Sequence, residues 1–169
     1  MSVLFLIIVA VLIAGDQALK YWVDSSFALG ESRDFLSVGN VDLFDLTYVR
    51  NNGAIFGSMS GQRWFLIGFT GLVIIGFIIF FFFAVKRSKW LATAVALFVA
   101  GGIGNLIDRI RLGYVIDMFD FQLFDFAVFN IADICVTCAF VMLIVYVLFI
   151  EPKIAKNAPK TEKKAEDNE

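Results

Sequence analysis

Four long apolar runs leave this chain few ways to fold. They cover roughly residues 3–23, 64–85, 90–110 and 132–150. A helix of about 20 apolar residues, rising 1.5 Å per residue, crosses the ~30 Å hydrocarbon core of a bilayer. The sequence therefore predicts an integral membrane protein with four spanning helices. Composition agrees: the chain is 60% hydrophobic and 18% charged, where soluble domains run near 45–50% and about 25%. The first run is the least regular, because its unbroken apolar part ends at Ala14. It lacks the Lys/Arg-rich start of a secretory signal and is read as a retained span with a polar outer end.

Charge placement orients the spans. Lys86, Arg87 and Lys89 crowd one short connection, and Lys153, Lys156, Lys160, Lys163 and Lys164 fill the tail. Positive flanks favour the cytoplasmic side, so both places, and with an even number of crossings the N-terminus, are expected inside. Residues 24–63 and 111–131 then face outward. Within the first of these, "VDLFDLTYVRNNGAIFGSM" alternates apolar and polar residues around Asn-Asn-Gly, which predicts a hairpin or small sheet resting on the membrane surface. The tail from Glu151, rich in Lys, Glu and Ala, is expected to be disordered. No internal repeat is visible, nothing demands more than a monomer, and no nucleic-acid partner is expected.

On this topology the unusual polar residues share one end. Asp16 and Lys20 lie four apart at the outer end of the first span, and Asn51 and Asn52 lie in the outer loop. Asn105, Asp108 and Arg109 end the third span, Asp117 follows it, and Asn130 and Asp133 open the fourth. Asp16 with Lys20 reads most simply as an interfacial ion pair, and Asp108 with Arg109 reads equally well as anchors snorkelling to the interface. Gly101, Gly102 and Gly104 read as close-packing positions, and Cys135 and Cys138 as small apolar side chains of a packed helix. Asp117 and Asp133 differ, being acids in apolar surroundings with no basic residue within four positions. An acid inside the membrane costs roughly 2.5–3.5 kcal/mol at mid-bilayer, and such residues mark functional sites by default.

The chain contains no His, which removes HExxH metalloproteases, Ser-His and Cys-His hydrolases and His-based metal sites. It also has no GxSxG elbow and no phosphate-binding GxxxxGK[ST] loop. What remains is carboxylates with amide and guanidinium helpers. Two Asp sharing a proton can deprotonate a water and protonate a leaving amine. The sixteen residues from Asp117 to Asp133 are enough for a loop that returns from one helix end to the next.

Five blocks carry a resemblance: "DQALK" at 16–20, "RNNGAIFG" at 50–57, "GGIGNLIDRI" at 101–110, "GYVIDMFDF" at 113–121 and "FNIAD" at 129–133. In this order they resemble the bacterial lipoprotein signal peptidases, signal peptidase II. The resemblance implies an all-α membrane protein of four transmembrane helices with a small extracytoplasmic β-sheet cradle, in which residues 1–150 form the peptidase. It implies an aspartyl endopeptidase of the cytoplasmic membrane, acting at the extracytoplasmic side. That enzyme would cut signal peptides from diacylglyceryl-modified prolipoproteins just before the lipidated Cys, with no metal or other cofactor. Its expected partners are the prolipoprotein substrates and membrane lipid, and its expected inhibitor is globomycin. On the matching positions Asp117 and Asp133 are the catalytic pair. Asp16, Lys20, Asn51, Asn105, Arg109 and Asn130 match residues that support the pair and hold the substrate backbone. Ile55 and Met118 are small hydrophobic departures from the pattern.

The competing reading is a proton-coupled small transporter, since intramembrane acids also form proton relays. It predicts polar residues through the depth of the membrane. The second span, and the fourth beyond Asp133, carry essentially none.

Overall fold

The computed structural model describes residues 2–53 and 59–157, and places a long helix on each apolar run. These are α1 (Ser2–Ser26), α2 (Arg63–Arg87), α3 (Lys89–Arg111) and α4 (Ile131–Val145). Past Val145 the last helix makes one π turn, Tyr146–Ile150, and runs on into α5 (Glu151–Asn157). All four are long and apolar enough to cross a membrane, the fourth counted as Ile131–Ile154 through the π turn. The remaining regular structure is an antiparallel sheet of β1 (Ser32–Val38), β2 (Val41–Asn51) and β3 (Val115–Phe121), with β2 in the centre.

α3 is the hub of the bundle. Half of its apolar window is buried, against 11–17% in the other three spans, whose remaining surface is left for lipid. Glycines let the neighbours approach it closely. A Cβ on Gly101 would meet the carbonyl oxygen of Ala132 in α4, one on Gly102 would lie 3.0 Å from Ile74 in α2, and one on Gly104 would lie 2.7 Å from the Asp16 carboxylate in α1. Three glycines thus seat three different helices, the close-packing role expected of them. Lower in the bundle Ile74, Ala84, Leu91, Val95, Val99 and Tyr146 form one apolar cluster, and Phe5 packs with Ala92 and Ala96 in another.

Two expectations about the connections are corrected. The hairpin does not turn at Asn-Asn-Gly, because Asn51 is the last residue of β2. It turns at Gly39-Asn40, between paired Val38 and Val41, with Gly39 at φ +64° as a glycine-first two-residue turn requires. The expected span of the hairpin also included residues 54–58, which lie outside those described. Beyond it, β2 pairs with β3, drawn from the connection after α3, in a register that sets Val49 opposite Asp117 and Asn51 opposite Val115. Leu46, Tyr48, Ile116 and Met118 of this sheet form a core cluster with Val23 of α1 and with Phe27 just beyond its end. The Tyr48 hydroxyl donates to Asp24 at the end of the same helix.

The second correction concerns the tail. Its first seven residues are helical, not irregular. Pro152, which has no N–H to donate, stands just after the π turn within this continuous helix. Arg87 ties the segment to α2, donating to Glu151 (2.9 Å) and to the Tyr146 hydroxyl (3.1 Å). Residues 158–169, including Lys160, Lys163 and Lys164, lie outside those described. Cys135 is buried as expected of a packing residue, whereas Cys138 faces outward, and both are free thiols.

Candidate active site

The end of α1, the end of α3, the start of α4 and strand β3 converge at one end of the bundle. Among the described residues the buried polar or charged side chains are Asp16, Lys20, Asp108, Asp117 and Asn130, and all of them belong to this convergence. Asn130 is its centre. As N-cap of α4 its Oδ1 accepts from the Asp133 amide (2.9 Å), while the Asp133 carboxylate accepts from the Asn130 amide (3.2 Å). That reciprocal capping box satisfies two backbone donors that a helix start otherwise leaves orphaned. It gives Asp133 a structural reason to stand at the mouth of a membrane helix, where the helix dipole also favours an acid.

The Asn130 side chain reaches the second acid as well, since its Nδ2 donates to Asp117 Oδ1 at 2.6 Å. The other Asp117 oxygen accepts from Asn51 Nδ2 (3.0 Å), and Asp133 Oδ1 accepts from Asn105 Nδ2 (2.8 Å). Two carboxylates on different elements are therefore held by three amides, with Asn130 common to both. Burial pushes the Asp117 carboxyl up to about 7, and the nearby charge of Asp133 adds to the rise. The hydrogen bonds from Asn51 and Asn130, and the charge of Lys20, act in the opposite direction.

Below the acids lies a buried ion cluster. Lys20 Nζ stands 2.9 Å from both Asp16 and Asp108 and donates to Asn105 Oδ1 at 3.0 Å. Asp16 reaches across to accept from the Ala132 amide of α4 (3.0 Å), and Asp108 accepts from the Ile116 amide of β3 (3.2 Å). Gln17 closes the cluster by donating to Asp108 (2.9 Å) and to the Gly104 carbonyl (3.2 Å). Asp16 and Lys20 are thus no interfacial pair, and Asp108 is no snorkelling anchor. The reason is Gly104, whose missing Cβ lets α1 bring its acid against α3. Gln17 is the member that the sequence reading passed over, and Asp108 is one it placed at this end but left out of the site. In the sequence Asp108 looks like half of an Asp-Arg pair, but the structure sends the two side chains apart. Arg109 turns instead to the loop after β2, donating to the Gly53 carbonyl at 2.9 Å.

Asn51 and Asp117 line a cavity of about 330 Å³ together with Val49, Gly53, Ala127 and Val128. Asn130 is fully enclosed, and its side-chain amide donates to Asp117 and to Asn105 Oδ1. Asp117 thus stands at this cavity, and Asp133 is joined to it through Asn130. No cluster of three or more His, Cys, Asp or Glu suited to a metal occurs among the described residues.

Comparison with known proteins gives a consistent family. The family model described as signal peptidase (SPase) II matches residues 8–149. A lipoprotein signal peptidase of Lactococcus lactis subsp. cremoris is 38% identical over 147 residues, 87% of this chain and 95% of that protein. One of Streptococcus pyogenes serotype M6 is 41% identical over 143 residues, 84% of this chain and 91% of that protein. Among solved structures, a bacterial membrane enzyme determined by the in meso method at 2.3 Å superposes with a TM-score of 0.78 at 31% identity, covering 85% of this chain and 87% of that one. A second, at 1.9 Å, gives 0.76 at 30% identity, with 86% and 93% covered.

Proposed function

Because this chain belongs to the signal peptidase II family, we propose that it is an aspartyl endopeptidase removing signal peptides from diacylglyceryl-modified prolipoproteins, just before the lipidated Cys. The observation that carries the reading is the pair of carboxylates joined through Asn130 beside the cavity. The confinement of buried polar residues to one end of the bundle favours hydrolysis over a proton path through the membrane.

In the proposed reaction Asp117 holds the shared proton and Asp133 is the base. Water attacks the scissile carbonyl carbon as Asp133 takes one of its protons. Asp117 gives its proton to the carbonyl oxygen, producing a gem-diol in place of a free oxyanion. Asp133 then protonates the leaving nitrogen of the lipidated Cys, the C–N bond breaks, and a diol hydroxyl returns its proton to Asp117. Asn51 and Asn105 orient the two acids, and Arg109 holds the Gly53 carbonyl at the edge of the cavity. Lys20, Asp16 and Asp108 brace α4 and β3 from below.

The reaction requires one proton on the pair, so its pH dependence follows from Asp117. Deprotonation near pH 7 empties the acid, and a second protonation at low pH removes the base, so cleavage of a lipidated prolipoprotein peptide by the purified protein traces a bell. Its upper limb falls near 7. A rate that keeps rising well above that pH excludes Asp117 as the proton donor.

The same proposal orients the protein, with both termini cytoplasmic and the site extracytoplasmic. α1 begins, and α5 follows, at the bundle end where Phe5 meets Phe81 and Arg87 meets Glu151, opposite the site and beside the basic connection Lys86–Lys89. With Cys135 and Cys138 changed to Ser, Ser37→Cys is labelled in intact cells by a membrane-impermeant thiol reagent and Ser88→Cys is not. The reverse pattern overturns the orientation.

A further inference from the structure

We propose that Arg63 is a positioning residue for the reaction: by clamping the last carbonyls of α3 it fixes Arg109, and through Arg109 and Gly53 it sets the Asn51 amide that donates to Asp117. This role rests on Asp117 being the acid of the proposed peptidase reaction. Arg63 is the first residue of α2, where a cation opposes the helix dipole. Its guanidinium serves the neighbouring helix end instead. Nε donates to the Arg109 carbonyl at 2.9 Å, and Nη2 donates to the Ile110 carbonyl at 2.8 Å. A helix leaves its last four carbonyls without intrahelical partners. In α3 the Asp108 carbonyl accepts from the Leu112 amide (2.7 Å), and Arg63 supplies the donors for the next two. Gly113, at φ +91°, makes room for the fork, since a Cβ there would stand 3.2 Å from the Arg63 guanidinium.

From Arg109 a chain of hydrogen bonds leads to the acid. The Arg109 side chain donates to the Gly53 carbonyl (2.9 Å), the Gly53 amide donates to Asn51 Oδ1 (3.0 Å), and Asn51 Nδ2 donates to Asp117 Oδ2 (3.0 Å). Direction along this chain is forced, because a backbone N–H can only donate. With the Gly53 N–H on Oδ1, Asn51 must present Nδ2 to the carboxylate. That bond favours the ionised form of Asp117 and opposes the rise imposed by burial and by Asp133. Both ends of the segment 53–63 are therefore tied to one residue, Gly53 to the Arg109 side chain and Arg63 to the Arg109 carbonyl. Without the clamp the last turn of α3 frays, Arg109 loosens its hold on Gly53, and Asn51 turns from Asp117 in part of the population. The charged groups facing Asp117 are Asp133 of α4, Lys20 of α1, and Asp108 and Arg109 of α3, and substitution of Arg63 removes none of them.

Protonation of Asp117 is followed in the full-length protein by pH-difference infrared spectroscopy, as the carboxylic-acid band that Asp117→Asn abolishes. Arg63→Lys keeps the charge but not the fork, and is expected to raise the titration midpoint by roughly half a pH unit. Arg63→Met is expected to raise it by as much or more. Asn51→Ala is expected to raise it by about one pH unit, the size of one lost hydrogen bond to a carboxylate, and Arg63→Met added to Asn51→Ala raises it no further. The upper limb of lipidated-peptide cleavage moves with the midpoint. Each variant is checked for a cooperative thermal transition, and Arg63→Lys carries the test alone if Arg63→Met lacks one. A parental midpoint in the Arg63 variants overturns the proposal, because a cap that only stabilises α3 leaves Asp117 untouched. A shift that adds in full to that of Asn51→Ala overturns it equally, because Asn51 is then not the link. Absence of cleavage by the parent protein overturns the peptidase reading instead, and the infrared midpoints still judge the role of Arg63.

Discussion

On the proposed mechanism, changing Asp117 to Asn, or Asp133 to Asn, is expected to lower the initial rate of lipidated-peptide cleavage by several orders of magnitude, with the double variant little slower than either single one. The non-additivity follows from the roles: a lone acid without its base, or a lone base without its acid, retains almost none of the pair's advantage. The two variants differ in what else they lose. Asp133 also completes the capping box of α4, so an amide there sets an NH2 group against either the Asn130 amide or Asn105 Nδ2 and costs on the order of 1 kcal/mol of helix stability. At Asp117 the amide likewise sets an NH2 group against Asn51 Nδ2 or Asn130 Nδ2, but it also removes a buried charge. The Asp117 carboxyl is raised from 3.8 to about 7, so its contribution to stability is fully present below 3.8 and is lost as pH rises through 7. The Asp117→Asn protein therefore lacks that loss and gains stability relative to its parent at alkaline pH while remaining inactive. Rates are compared at matched protein level, with thermal midpoints measured alongside. Near-normal cleavage by either single variant removes these two residues from the catalytic step.

Lys20→Met has the second large effect, on stability. Lys20 is nearly fully buried and stands 2.9 Å from both Asp16 and Asp108. Removing it leaves two buried carboxylates without a counter-charge, and breaking a buried pair in this way costs about 3–5 kcal/mol. For a protein of this size the unfolding midpoint in detergent should fall by on the order of 10 °C. Converting Asp16 and Asp108 to Asn in the Lys20→Met background restores much of the loss, because the amides keep acceptors for the Ala132 and Ile116 backbone N–H groups without the charge. An unchanged midpoint for Lys20→Met shows that the cluster does not brace the fold.

Much of the architecture was legible in the residues. The apolar runs at 64–85, 90–110 and 132–150 coincide with α2, α3 and α4 with its π turn to within a few residues at each end, and the irregular first run is one continuous helix to Ser26. The sheet was only half legible. Alternation in β2 announced a strand, but its partner β3 hides in "VIDMFDF", where the expectation held only a connection. The turn was misplaced for a related reason. Asn-Asn-Gly is a good hairpin signal by itself, and Gly39-Asn40 is another, so composition gives no means of choosing between them.

The site divides in the same way. That polar residues would gather at one end followed from where each stood relative to its own hydrophobic run, since hydropathy is summed over neighbours in the chain and survives without knowledge of the fold. Which of them touch does not follow, because each contact joins distant segments: Asn51 to Asp117 across 66 positions, Asp16 to the Ala132 amide across 116. Burial reversed the meaning of two pairs. Read locally, Asp16 with Lys20 is an interfacial ion pair, and Asp108 with Arg109 fits equally well as a pair of snorkelling anchors. Only the approach of α1 to Gly104 encloses Asp16, Lys20 and Asp108, while Arg109 is drawn off to Gly53. Hydropathy along the chain was enough for a membrane protein with four apolar spans and for the end at which its polar residues gather. The tertiary structure alone decided that Asn130 binds both acids and that a buried lysine neutralises the acids bracing them, because pairwise electrostatics in a low-dielectric interior depend on distances that chain order does not encode.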